Sequence, residues 1–213
     1  LRWDGYWQKN HKNMRNYVLV SPFPTAKVIT DSLADNRIKT YGTSLQADWQ
    51  LGESNFLITG YEFVQDQLEA DTDARSSMSM RSMLMSDTQT HRFNKGKETT
   101  NAIFASMETS LPMDFMVNYG VRYTWVNSKL SKASASLNGF DRNGQYKNFD
   151  DGSAGKTGSD RNSRPVFNLS LNWTGLPDTS LRAGWSQGFR VPNLQEKYLM
   201  NSMGGGTIFG NPN

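Results

Sequence analysis

Between residues 113 and 125 every second side chain is large and apolar. Phe115, Val117, Tyr119, Val121, Tyr123 and Trp125 fall on one set of positions, and Asp114, Asn118, Gly120, Arg122 and Thr124 on the other. Successive side chains of a strand point to opposite faces, so this pattern predicts a strand with one apolar face. At ~3.4 Å per residue it spans roughly 40 Å, about twice the ~17–20 Å of an ordinary globular strand. A stripe of that length must be covered by a second sheet or by lipid.

The period of two recurs along the chain. Tyr41, Thr43, Leu45, Ala47 and Trp49 alternate with Gly42, Ser44, Gln46, Asp48 and Gln50, and Leu57, Thr59, Tyr61 and Phe63 follow after a short turn. Phe167, Leu169, Leu171 and Trp173 form a further stripe. Leu181, Ala183, Trp185 and Phe189 predict a strand over 181–190. Residues 98–109 alternate less regularly, and residues 1–10 read as the end of another strand. The expectation is an all-β, antiparallel segment of about seven strands.

The connections separate two architectures. Those near Gly52, Pro112 and Gly175 are tight, whereas residues 11–37, 68–97 and 128–163 are long and polar, and a further polar stretch begins near Val191. Compact soluble domains rarely carry several structureless loops beyond ~12–15 residues. A transmembrane β-barrel alternates short periplasmic turns with long extracellular loops. A soluble β-sandwich is the competing architecture, but its strands are typically ~5–6 residues long. A mean hydropathy of −0.66 agrees with strands that alternate apolar and polar residues.

The chain has no cysteine, which excludes disulfide frameworks and thiol catalysis. A net charge of +3 gives no argument for nucleic acid. There is no Gly-x-Ser-x-Gly elbow and no zinc-type histidine cluster, and Asp150-Asp151 sits in a Gly/Ser/Asn-rich stretch, so no enzyme is expected. No secretory signal precedes the first strand, Leu1 is not an initiator methionine and the last residues read as mid-loop. The chain is therefore expected to be part of a longer one. An unclosed barrel leaves two unpaired edges, and the segment alone is expected to aggregate.

With the apolar face toward lipid, Gln46, Asp48, Glu62, Asp114, Asn118, Arg122, Asn168, Asn172, Arg182 and Arg190 line an interior. So polar a lining suits a wide lumen holding water or a plug.

Near the end the chain reads Gly188-Phe189-Arg190-Val191-Pro192-Asn193-Leu194-Gln195-Glu196-Lys197-Tyr198, and after 11 residues Gly210-Asn211-Pro212-Asn213. This resembles the Gly-Phe-Arg-x-Pro-x-Leu-x-Glu-x-Tyr and Gly-Asn-Pro motifs of TonB-dependent outer-membrane receptors. Gly60-Tyr61-Glu62 and Tyr119-Gly120-Val121-Arg122-Tyr123 are similar to further strands of that family. The resemblance implies that residues 1–213 are part of a 22-stranded barrel whose N-terminal plug lies outside this chain. It also implies import of a ferric siderophore or haem across the outer membrane of a Gram-negative bacterium, with energy from the TonB complex through a region not in this chain. Family motif residues are Phe189, Arg190, Pro192, Leu194, Glu196, Gly210, Asn211 and Pro212, and the substrate-binding candidates are Arg190, Tyr198, Arg182 and Arg122. Haem receptors of the family place a histidine between the two motifs. Here that interval offers Tyr198, Met200 and Met203 instead, which favours a siderophore.

Other readings stay open. A passive porin or adhesin-like barrel needs neither plug nor motif. Met78, Met80, Met83 and Met85 are soft thioethers that could hold copper(I), or simply an adaptable apolar patch. His11 and His91 fall in polar connections and read as solvated. Residues 2–39 carry seven basic and three acidic side chains and residues 129–164 seven and four, a bias that attracts anionic ligands or lipopolysaccharide phosphates. No bound cofactor is expected.

Overall fold

In the computed structural model the described residues are 1–140, 144–149, 157–192, 196, 201–203 and 206–208. One antiparallel sheet holds β1 (Arg2–Phe23), β2 (Ala26–Leu51), β3 (Asn55–Met80), β4 (Met83–Leu111), β5 (Phe115–Phe140), β6 (Tyr146–Phe149), β7 (Gly158–Leu176) and β8 (Thr179–Ser186). Its spatial order is β1-β2-β3-β4-β5-β7-β8, with the short β6 on the upper part of β5 beyond the end of β7. A separate pair joins β9 (Asn201–Met203) to β10 (Gly206–Ile208).

The register puts the odd-numbered side chains of neighbouring strands side by side. Trp3, Leu45, Tyr61, Ile103, Tyr123 and Pro165 lie on one cross-strand rung, and Trp49, Leu57, Met107, Tyr119, Leu169 and Trp185 on another. Among the described residues no second sheet covers this face, and Trp3 stays 72% and Trp185 56% exposed. The buried apolar side chains, Ala26, Leu68, Ala70, Ala102, Val126 and Leu130, all belong to the even-numbered face. A sandwich would bury its apolar stripes against each other, so that alternative falls. The sheet is a segment of a transmembrane barrel with its apolar face toward lipid. Aromatic rings flank the apolar stripe at both ends. Phe115 and Trp173 pack at 6.0 Å near the tight turns, and Tyr123 and Trp125 at 5.8 Å at the other margin.

The tight turns fall where expected, at residues 52–54, 112–114 and 177–178. Met113 and Asp114 belong to the turn rather than to the strand, with φ of 65° and 58°. Asp114 is therefore not a lumen position. The strand expected over 181–190 ends at Ser186, where Gln187 still donates to the Phe167 carbonyl at 2.9 Å. Gly188 and Pro192 favour no ladder beyond that point, and Arg190 lies outside the strand.

The long connections are not structureless. β1 and β2 continue through 11–37 as a hairpin closed at Pro24-Thr25. β3 and β4 do the same through 68–97, closed at Arg81-Ser82. β5 and β7 extend into 128–163, with residues 141–143 and 150–156, and hence Asp150-Asp151, outside the described residues. Strand pairing outlasts the apolar stripe because cross-strand ion pairs replace apolar contacts. Arg15 Nη2 meets Asp31 Oδ2 at 2.6 Å, Lys95 Nζ meets Glu69 Oε1 at 2.6 Å, and Arg75 grips both oxygens of Asp87 at 2.9 and 2.8 Å.

The Arg75 hydrogen bond holds the Asp87 carboxyl below its ordinary 3.8, against the opposing effect of burial. A lowered folded-state pKa means that the pair stabilises the hairpin fully above that ordinary value, and the contribution is lost as pH falls below it. Hydrogen exchange of the β3–β4 tip, expressed relative to the intrinsic amide rate at each pH, is therefore expected to accelerate below about pH 4, the ordinary carboxylate range. In Asp87→Asn it should be fast already at neutral pH.

Candidate functional site: the polar wall of the lumen

The even-numbered face carries the chemistry. Arg122 Nη2 donates to Glu62 Oε2 at 2.5 Å and its Nε to Thr124 Oγ1 at 3.3 Å, so the contact reaches from β5 over β4 to β3. Ala102 stands between Glu62 and Thr124 on the rung, fully buried, and its small side chain leaves room for the guanidinium to cross. Further along the wall Thr40 donates to Asp66 at 2.5 Å, and Ser128, 1% exposed, donates to Glu98 at 2.7 Å. The wall's charges and hydroxyls therefore largely satisfy one another, as buried polar groups must.

Glycines and rings alternate across the same face. Tyr6 lies over Gly42 and Phe104 over Gly60, each pair directly opposite in the ladder. A Cβ on Gly60 would come within 2.3 Å of the Phe104 ring, so the ring occupies the space a side chain would need. Covering a strand glycine with an aromatic ring restores the packing that glycine lacks.

The expected substrate-binding residues do not converge. Arg122 pairs across the ladder with Val166, whereas Arg182 pairs with Asn172 and donates to its side-chain oxygen at 3.3 Å. Six residues of β7 separate the two rungs, roughly 20 Å of strand. Arg190 bonds to Glu196, a contact between two motif residues. Phe189 lies under the Arg164 guanidinium at 5.9 Å, which ties the segment after β8 back to β7. Pro192 is exposed. Tyr198, Leu194, Gly210, Asn211, Pro212 and Met200 lie outside the described residues, as does the Met203 side chain.

The methionines gather at the β3–β4 tip. Met80 stands opposite Met83 and Met78 opposite Ser86, and a register shift leaves Met85 as the extra residue. One donor set that the solvated reading of His91 missed lies on the odd-numbered face. His91 Nδ1 is 2.8 Å from Asp73 and 3.4 Å from Asp71, and the three groups offer donor atoms within 4.8 Å of one another. His11 is likewise paired, with Asp35 at 2.6 Å. Both pairings follow from register, which spacing along the chain does not display.

No curated protein matches the sequence. Among solved structures, the ferric yersiniabactin uptake receptor FyuA from Yersinia pestis is similar at 13% identity and a TM-score of 0.41, over 84% of this chain and 24% of that one. The chain thus spans about a quarter of that receptor's length. A family model described as TonB dependent receptor-like, beta-barrel matches residues 1–213, the whole sequence. With an apolar stripe facing lipid, a polar wall behind it and a family match from end to end, the chain belongs to the TonB-dependent receptor β-barrel family.

Proposed function

We propose that this chain is part of a ligand-gated importer in the outer membrane of a Gram-negative bacterium. The cargo is an iron chelate, a ferric siderophore ahead of haem, and energy comes from the TonB complex. The observation that carries the reading is the polar wall with its Glu62–Arg122 bridge, on a chain that belongs to this family throughout. A wall of that polarity suits a wide lumen able to hold a hydrogen-bonding plug, and the plug and the TonB-contacting region are assigned to parts of the receptor outside this chain. Outer-membrane lipid and lipopolysaccharide surround the apolar face. Arg190 and Tyr198 are the proposed ligand contacts, with Arg182 and Arg122 further along the wall.

Uptake of radiolabelled ferric siderophores and of haem by cells carrying the complete receptor tests this. The expected result is saturable uptake of one ferric siderophore that stops when TonB is deleted. Uptake that is indifferent to TonB and limited only by solute size would assign a passive pore. Arg190→Ala together with Tyr198→Ala is expected to weaken ligand binding about tenfold or more, the cost of losing charge-assisted hydrogen bonds. Unchanged affinity would remove both residues from the site.

A further inference from the structure

Where the apolar stripe gives way to the extended hairpins, five adjacent strands place one residue each on a single cross-strand rung. It reads Lys9, Lys39, Gln67, Lys97 and Lys129, each directly opposite the next. All are odd-numbered, so they share the face of Tyr41, Tyr61 and Tyr123, and the four lysines are exposed. Neighbouring strands are ~4.8 Å apart, which puts four ammonium groups within roughly 20 Å.

Like charges directly opposite each other destabilise a ladder. One rung farther from the tight turns, the same face solves that problem internally. Arg37 pairs with Asp35 at 2.7 Å and Lys95 with Glu69 at 2.6 Å. On the lysine rung none of the four has a carboxylate within ion-pair distance among the described residues. Together with Arg37 and Lys95 they line a cleft of about 440 Å³, with Glu69 as its sole acidic side chain. The arrangement is built to receive several negative charges from outside the chain.

Height selects the source of those charges. Lys39 and Gln67 stand twelve residues from Leu51 and Asn55 at the tight turn, and Lys97 and Lys129 fourteen from Leu111 and Phe115. At ~3.4 Å per residue and a strand tilt of ~40°, this is roughly 30–36 Å along the membrane normal, just beyond an apolar band ~25 Å tall. The rung faces lipid rather than lumen, with Trp7, Tyr41 and Trp125 on the nearest rungs below it. An occupant must carry phosphates at headgroup level and acyl chains beneath them.

We propose that Lys9, Lys39, Lys97 and Lys129 form a binding site for the phosphorylated headgroup of lipid A, the membrane anchor of lipopolysaccharide, on the outer wall of the barrel. The site rests on the outer-membrane reading above and gives that reading's lipid partner a defined location. Phosphate groups bridge adjacent lysines along the rung, and the acyl chains lie over the aromatic residues below.

The test uses the complete receptor, purified in detergent and delipidated, with bound lipid read by native mass spectrometry. The expected result is retention of bisphosphorylated lipid A and loss of retention for the same lipid with its phosphates removed, a comparison that needs no variant. Lys9→Gln, Lys39→Gln, Lys97→Gln and Lys129→Gln combined are expected to lower retention by roughly several hundredfold, about fivefold for each basic side chain at a charged membrane surface, and each neighbouring pair less. Lys27→Gln, on the same face near a hairpin tip, should leave it unchanged. The heat-dependent gel shift of a folded barrel checks that each variant has assembled. Equal retention of phosphorylated and dephosphorylated lipid, or undiminished retention by the folded quadruple variant, overturns the site. Displacement of the lipid by millimolar inorganic phosphate also overturns it, assigning the lysines to a free anion. Retention is read without any iron ligand, so its outcome is separable from that of the uptake experiment.

Discussion

Val121→Arg is expected to destabilise the assembled barrel by about 2–4 kcal/mol, the cost of an arginine facing lipid near the bilayer midplane. Val121 lies on the rung of Ala105 and Phe167, six residues above the start of β5, which is about 16 Å of height at the tilt used above. Its two direct cross-strand neighbours, Ala105 and Phe167, are apolar, and the middle of the apolar band is too far from either surface for the guanidinium to reach water freely. The measurement is urea-dependent unfolding of the complete receptor in liposomes. Asn118→Arg is the control, since position 118 faces the lumen directly opposite Glu108 and is expected to be tolerated. If both substitutions were equally harmless, the assignment of the odd-numbered face to lipid would be wrong.

Gly60→Val is expected to cost about 1–3 kcal/mol, within the usual range for forcing extra bulk into a packed site. The added Cβ would meet the Phe104 ring at 2.3 Å and the Leu45 carbonyl oxygen at 2.9 Å. The ring can move, but only by abandoning the strand it covers, and the carbonyl is fixed in the β2–β3 ladder. Phe104→Ala should therefore restore part of the loss in the double variant, giving a coupling that two independent sites would not show. Unfolding midpoints for the four members of the cycle provide the check. Additive losses would mean that the ring is not what excludes the side chain.

The sequence displays the membrane-facing part of this sheet because lipid selects large apolar side chains at every second position, as in Phe115 to Trp125. It conceals the upper halves of the same strands for a related reason. Above the lipid the period of two persists, but its outward residues are Arg15, Asp31, Asp73 and Arg75, which read as loop composition. The β3–β4 turn adds to the concealment. Arg81 and Ser82 both take positive φ, 49° and 65°, the geometry of a two-residue hairpin turn usually marked by Asn-Gly. Of the wall chemistry, Glu62 and Arg122 are each visible within a family-like segment, yet their contact requires knowing that β4 lies between them with Ala102 at the crossing. The lysine rung is invisible for the same cause. Positions 9, 39, 67, 97 and 129 have no fixed spacing, and only the register of five strands aligns them.

Above that rung β1 to β5 remain one continuous ladder, held by backbone bonds and by cross-strand ion pairs such as Arg15–Asp31 and Lys95–Glu69. Free energy of opening in such an element is lowest at the tip and rises toward the root, where the sheet meets the membrane. Fraying of this rim is therefore expected to begin at the hairpin tips, to a depth set by ionic strength and acidity. The height of the rim is then expected to be a graded quantity that follows the medium, rather than one of two states.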